Sequence, residues 1–304
     1  MLALNIKNET SRLRAVVLGI ANSNGGIPKV EDCYDPKSIQ HVLAGTYPKE
    51  EAMVLEMEAV AAVLEKYEVA VFRPGVIENY NQIFSRDIAF VIDDKLVKAN
   101  ILPDRDQEIE AIPAVISKID KKNIIKLPEE CHVEGGDVMP WNEYLFVGTY
   151  SGEDYSEYIT ARTNVDAVIA LQEFFPEKTV KSFELRKHNT DPKENALHLD
   201  CCFQPIGKDK AILHKNGFLV DKEYEWLLNF FGKENVFEID KEEMFSMSSN
   251  IFSISEEVII SEKNFTRLNT WLRANGFTVE EVAYAEIAKQ EGLLRCSTMP
   301  LIRD

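Results

Sequence analysis

An α/β fold of five hairpin-plus-helix units is what this chain predicts. Short β-prone runs recur in pairs around turn residues, and each pair is followed by a stretch with helical apolar spacing. No Pro/Gly/Ser-rich linker or low-complexity tract interrupts the 304 residues, which favours a single domain over residues 1–304. Five units in this length average about 60 residues each, a period that belongs to stacked or closed arrays.

The first unit is split between the chain ends. "LRAVVLGI" reads as a strand, and Met53, Met57, Val60 and Leu64 mark one face of the helix that follows it. The last strand, "LLRCSTMPLI", is expected to pair beside that first strand, closing a ring that leaves no long sheet edge exposed. "RDIAFVIDDKLVKAN" reads as two short strands around an Asp-Asp turn, with a charged helical stretch beginning near Arg105. "DVMPWNEYLFVG" is a hairpin around Asn142-Glu143, and in "TNVDAVIALQEFFP" Val168, Leu171 and Phe175 share a helical face that Pro176 ends. "LHLDCCFQPIGKDKAILH" turns at Gly-Lys-Asp-Lys and leads to "DKEYEWLLNFFG", where Gly232 is the expected C-terminal cap. "NIFSISEEVIIS" precedes "EKNFTRLNTWLRANG", whose stripe is Phe265, Leu268 and Leu272 and whose stop is Asn275-Gly276.

Composition narrows the function. A formal charge of −17 argues against a nucleic-acid backbone or an anionic membrane surface as partner and suits a small cationic ligand. The start lacks a charged segment followed by an unbroken apolar run, and no stretch approaches the roughly 18 apolar residues of a membrane span, so a cytoplasmic location is expected. The five cysteines show neither disulfide-framework nor metal-ligand spacing, so reduced thiols and no metal or cofactor are expected. A homodimer is compatible with the sequence.

Four polar clusters open the later strands: "FSRD" with Arg86 and Asp87, "HVEGGD" with Glu134 and Asp137, "HLD" with His198 and Asp200, and "RC" with Arg295 and Cys296. On a strand, the i, i+2 spacing of "HLD" puts His198 and Asp200 on one face while Leu199 points into the packing layer. If the units are related by rotation about a ring axis, these strand starts converge at its centre. Each cluster also has an ordinary structural use. "EGGD" suits a tight turn whose glycines supply positive φ, and a lone histidine or cysteine is commonly a packed core residue.

Together the groups propose a chemistry. A cysteine nucleophile needs a thiolate and a proton carrier, which His198 provides, and Glu134 offers the acceptor that orients the imidazole. Asp87 and Asp200 add negative charge, which raises a thiol pKa and repels the oxyanion of amide cleavage. Such a site suits a planar guanidinium, held bidentately by carboxylates while sulfur attacks its carbon. Binding that cation would itself favour the thiolate.

In order along the chain, "FSRD", "EGGD", "HLD" and the cysteine of "GLLRCSTMP" resemble the guanidino-group modifying superfamily of arginine deiminases, amidinotransferases and dimethylarginine dimethylaminohydrolases. The resemblance implies a five-bladed α/β propeller with pseudo-fivefold symmetry. It implies Cys296 as nucleophile, His198 as general acid and base, Glu134 as its partner, and Asp87 and Asp200 as the guanidinium grip. The family uses arginines for the substrate α-carboxylate, which points to Arg162 in "ARTN" and then to Arg295. "EGLLRC" looks like the dimethylarginine hydrolases, whereas "FSRD" and "HLD" lean towards deiminases and glycine-type amidinotransferases.

The expected activity is hydrolysis of the guanidinium of arginine or a relative through a covalent Cys296 intermediate. An amidinotransferase, with an amine such as glycine replacing water, shares the same motifs. A thiol protease or amidase leaves the extra carboxylates unexplained. A non-catalytic binding protein on the same fold leaves the joint presence of Cys296 and His198 unexplained.

Overall fold

A computed structural model describes the whole chain, residues 1–304. Fifteen strands form five separate three-stranded sheets. Four follow the chain: β3 (Ala89–Ile92), β4 (Lys95–Lys98) and β5 (Ile124–Lys126); β6 (Val138–Trp141), β7 (Tyr144–Thr149) and β8 (Thr179–Glu184); β9 (Phe203–Ile206), β10 (Lys210–Leu213) and β11 (Val236–Glu238); and β12 (Phe252–Ser253), β13 (Val258–Glu262) and β14 (Thr278–Val282). The fifth joins the chain ends, with β1 (Leu13–Leu18) lying between β2 (Ala70–Phe72) and β15 (Thr298–Arg303). β1 and β15 are antiparallel, with Val17 opposite Met299 and Leu18 opposite Thr298, as the split unit predicts.

In every sheet the middle strand pairs antiparallel with its hairpin partner and parallel with the third strand. A parallel neighbour requires a crossover, and the helical stretches supply it. α1 (Pro36–Leu43) and α2 (Glu50–Lys66) separate β1 from β2, and the one-turn α3 (Ser85–Ile88) leads into β3. The others are α4 (Pro113–Ile116), α5 (Val165–Phe174), α6 (Asp221–Phe231), α7 (Lys241–Phe245) and α8 (Thr266–Ala274). No helix is long and apolar enough to cross a membrane.

The first strand of each hairpin is a sheet edge, and this is where proline is tolerated. Pro140, Pro205 and Pro300 stand third in β6, β9 and β15, marking these strands as equivalent members of a repeat. Two hairpins turn on non-glycine residues with positive φ, Asp93 and Asn142, the residue types that accept that conformation most readily.

Burial explains the helices. Met53, Met57, Val60 and Leu64 of α2 are fully buried, each contributing roughly 1.5–3 kcal/mol relative to exposure. In α5 the packed face holds the expected Leu171 and, at the helix end, Phe175, together with Ala167 and Ala170, while Val168 is half-buried at its margin. Neighbouring units are joined by aromatic packing: the Phe146 ring of β7 meets Phe203 of β9 edge-on at 5.6 Å, and Phe183 of its own sheet packs against it edge-on at 5.9 Å.

The charged stretch around Arg105 is helical, as expected. It begins two residues earlier and takes the 3-10 form over Pro103–Ala111, followed by the single turn α4. Prolines at both starts limit extension, and three residues per turn align Arg105 with Glu108 on one inward face, where the two side chains pair.

Candidate active site

The polar clusters do lie immediately before the first strands of their units. Asp87 is on α3, ahead of β3; Glu134 precedes a 3-10 turn at Gly135–Asp137, ahead of β6; Cys296 stands two residues before β15. "HLD" differs in one respect. His198 is extended, but Leu199–Cys201 is a 3-10 turn rather than the start of a strand. Leu199 is buried in the packing layer as expected, and the turn aims both polar neighbours inward.

Side-chain geometry joins the clusters. His198 Nε2 lies 2.8 Å from Glu134 Oε2, and His198 Nδ1 lies 3.9 Å from Asp87 Oδ1. Cys296 Sγ is 3.5 Å from Asp200 Oδ2, and the Arg86 backbone N–H donates to the Cys296 carbonyl at 3.0 Å, fastening α3 to the cysteine. All five predicted groups are buried, from fully buried Glu134 and Asp200 to 2% exposed Asp87 and Cys296.

The two glycines of "EGGD" serve packing, not backbone handedness. Neither has positive φ; a Cβ on Gly136 would lie 2.6 Å from His198 Nδ1, and one on Gly135 only 2.0 Å from the Arg86 carbonyl oxygen. The turn therefore presses its backbone against the imidazole and against α3. Asp137 secures it from inside: its carboxylate accepts from Thr163 Oγ1 at 2.7 Å and from the Leu199 N–H at 2.8 Å.

This packing sets the protonation states. Burial alone would lower the His198 pKa, but the Asp87 charge, the hydrogen bond to Glu134 and the Asp137 charge outweigh it and raise it to about 9. His198 is therefore an imidazolium at neutral pH. Burial opposes ionisation of Glu134, yet the charges of Arg162 and His198 hold its carboxyl well below the ordinary range. Burial, then the charges of Asp200 and Asp87, push the Cys296 thiol far upward. The resting pair is a neutral thiol with a protonated histidine, so His198 cannot take the thiol proton before substrate arrives. The acceptor within reach of Sγ is Asp200.

The two arginines expected at a substrate carboxylate are placed differently, and Arg295 needs correction. Arg295 is fully buried and all its N–H groups are engaged: Nε and Nη2 with Glu9, Nη1 with Asp200 and the Gly136 carbonyl, and Nη2 also with the Val138 carbonyl. It ties the N-terminal segment to Asp200 and has no donor left for a substrate carboxylate. Arg162 does enter the site, but on Glu134, at 2.9 Å, and on the Tyr34 carbonyl, at 2.5 Å. A third arginine was not foreseen. Arg105 donates to Asp87 Oδ2 at 2.8 Å, to both oxygens of Glu108 and to the Phe84 carbonyl at 3.0 Å.

A further residue escaped sequence reasoning. Asn250, fully buried, bonds both the thiol and the backbone N–H of Cys296. A signal for it was available: it stands two residues before β12, the offset that Asp87 has from β3 and Cys296 from β15.

Ligand atoms of Asp87, Glu134 and His198 lie within 4.8 Å of one another, close enough to surround a cation. Arg105 and Arg162 already neutralise those two carboxylates, so a metal would have to displace guanidinium groups. A cavity of about 180 Å³ is separated from the cluster by one layer of residues, since none of the five predicted groups lines it; its lining includes Tyr34, Asp35, Tyr47, Phe84 and Gln290. The carbonyls of two of these, Tyr34 and Phe84, are the ones held by Arg162 and Arg105.

The family model described as N,N dimethylarginine dimethylhydrolase, eukaryotic, matches residues 42–303. An uncharacterised protein of Bacillus subtilis, YkgA, is 29% identical over 222 residues, 73% of this chain and 70% of that protein. Among solved structures, the N-terminal domain of the cyanobacterial arginine dihydrolase ArgZ, bound to product, superposes with a TM-score of 0.77 at 16% identity, covering 95% of this chain and 97% of that one. The inosamine-phosphate amidinotransferase of Streptomyces griseus gives 0.76 at 14% identity, covering 100% and 97%. The Pseudomonas aeruginosa DDAH in complex with citrulline gives 0.71 at 15% identity, covering 95% and 100%. At these identities the structural matches establish the shared fold.

Proposed function

Because the chain belongs to the N,N dimethylarginine dimethylhydrolase family, we propose that it hydrolyses the guanidinium group of arginine or a close relative through a covalent Cys296 intermediate. The observation that carries this reading is the convergence of a thiol, an imidazolium and three carboxylates from four different units in one buried cluster. The same reading takes residues 1–304 as one domain, since β15 completes the sheet of β1.

Asp87 and Asp200 retain accepting capacity for a guanidinium. A carboxylate offers about four lone-pair sites. Asp87 uses one oxygen for Arg105 and the other for the Gly136 N–H, while Oδ1 of Asp200 has only a Cys201 contact at 3.9 Å. The rest of the substrate is assigned to the cavity beside Phe84, and Arg162 remains the candidate for its carboxylate through the one Nη2 hydrogen left after Ile159, Glu134 and Tyr34 take its other donors.

Arrival of the cation beside Sγ favours loss of the thiol proton, for which Asp200 is the near acceptor on the way to solvent. The thiolate then attacks the guanidinium carbon, forming a C–S bond and a tetrahedral adduct. The C–N bond breaks as His198 gives its proton to the departing amine, leaving an S-linked amidino cation on Cys296. The now neutral His198 takes a proton from water as the water oxygen adds to that carbon. The C–S bond breaks as the hydroxyl proton of the adduct passes to the departing sulfur, so the neutral thiol of the resting site is restored and a neutral ureido product leaves.

The test is a product screen over arginine, methylated arginines, agmatine and guanidino acids, with and without glycine. Ammonia, or methylamine or dimethylamine, together with a ureido product supports the reading. Ornithine released only when glycine is added assigns a transferase instead, and no turnover of any guanidino compound overturns both.

A further inference from the structure

The mechanism above accounts for His198, Glu134 and the aspartates but leaves the thiol itself without a fixed orientation. Four units supply those groups. The remaining unit, that of β12, contributes Asn250 at the equivalent place ahead of its first strand.

Asn250 holds the cysteine segment from three sides. Its carbonyl accepts the N–H groups of Leu294 at 3.2 Å and Arg295 at 3.3 Å, its Oδ1 accepts the Cys296 N–H at 3.1 Å, and its Nδ2 lies 3.1 Å from Cys296 Sγ. The orientation of the amide follows from chemistry. A backbone N–H can only donate, so Oδ1 must face it, and the NH2 group is thereby turned to the sulfur. Ser249 Oγ braces the neighbourhood by donating to the Asp200 carbonyl at 2.8 Å.

The charged and titratable groups around this sulfur otherwise oppose its ionisation or do little for it. Asp200 and Asp87 raise the thiol pKa by their charge, and the Cys201 thiol and Tyr284 phenol are neighbours whose own ionisation Cys296 disfavours. Arg295 is spent on Glu9 and Asp200, and Arg105 on Glu108 and Asp87. The Asn250 amide is a neutral donor that stays in place when the thiol proton leaves.

Resting on the reading of Cys296 as nucleophile, we propose that Asn250 is a positioning residue whose side-chain N–H holds Sγ and stabilises the thiolate during attack. Its oxygen fixes the backbone of the nucleophile and its nitrogen fixes the sulfur. The two functions are separable: Asn250→Asp keeps an acceptor for the Cys296 N–H but replaces the donor to sulfur with a carboxylate.

The test is the pH dependence of Cys296 alkylation by iodoacetamide, followed by intact-protein mass spectrometry, on wild type, Asn250→Asp and Asn250→Ala, together with kcat and KM. In both variants the labelling inflection moves up by at least one pH unit, labelling at pH 7.5 falls tenfold or more, and kcat falls while KM changes less than about threefold. A folded Asn250→Asp protein that labels with the wild-type profile overturns the proposal. Should neither variant fold, the wild type decides. Its Asn250 side-chain amide resonance must shift through the same pH range as thiol labelling, and a flat resonance overturns the proposal. Turnover by Cys296→Ala with normal Asn250-dependent labelling would instead remove the nucleophile reading and leave the Asn250–thiolate contact standing.

Discussion

Replacing Glu134 by glutamine removes a buried charge on which two cations depend. Its Oε2 is 2.8 Å from His198 Nε2 and 2.9 Å from Arg162 Nη1, and all three side chains are at most 2% exposed. Breaking a buried pair by deleting one partner costs about 3–5 kcal/mol, because the partner's charge is left uncompensated. The raised pKa of the histidine, owed to Asp87, Glu134 and Asp137 together, bounds the Glu134 share from above. Raising the His198 pKa from 6.5 to about 9 corresponds to about 3 kcal/mol of stability. For a raised histidine that contribution is complete below pH 6.5 and is lost as pH climbs towards 9. In Glu134→Gln the His198 inflection falls towards the ordinary value, because Asp87 at 3.9 Å and Asp137 remain but the direct hydrogen bond to a carboxylate is gone. Two measurements check this: long-range 15N–1H titration of the histidines, and urea midpoints at pH 6 and pH 9. Wild type should lose stability between those pH values and the variant much less. A variant that keeps an inflection near 9 and wild-type stability would refute the assignment of Glu134 as the group that holds the imidazolium.

Three further substitutions probe the neighbouring groups. Asp200→Asn removes the carboxylate nearest to Sγ, so the alkylation inflection of Cys296 moves to lower pH while KM for a guanidinium substrate rises about 10–100-fold, the worth of one charge-assisted hydrogen bond. Gly136→Ala drives a methyl group to 2.6 Å from the His198 ring; about 1–3 kcal/mol of stability and most of kcat are lost, read from thermal melting and initial rates. Arg295→Lys offers three donors where five hydrogen bonds are made, lowering the melting temperature; the preference for carboxylate-bearing over carboxylate-free guanidines stays unchanged, which competition kinetics would show.

Local chemistry made most of the architecture legible. The Asp93 and Asn142 turns, the Gly232 cap and the α2 stripe each lie within a few residues of the groups that determine them, and the split unit followed from counting hairpins. Four of the five strand-start clusters were legible for the same reason. What escaped is decided by distance in space. Glu9 meets Arg295 across 286 residues, and the Arg105–Asp87 pair depends on the 3-10 form of a stretch whose sequence announces only a charged helix. "EGGD" suits a turn that uses glycine's backbone freedom, whereas its glycines are needed for the space their missing Cβ atoms leave to His198 and Arg86. Asn250 carries no motif, but the repeat itself pointed to it. The same holds for Pro140, Pro205 and Pro300, whose shared position registers three units against one another.

The nucleophile is tested most directly by rapid acid quench during turnover of an accepted guanidino substrate, followed by peptide mass spectrometry. An amidino-type adduct on the peptide carrying Cys296 is predicted, accumulating further in His198→Ala when a substrate with a good leaving group is used, because hydrolysis then lacks its base. Turnover at wild-type rate with no adduct on that peptide, or with the adduct on another residue, would contradict the assignment.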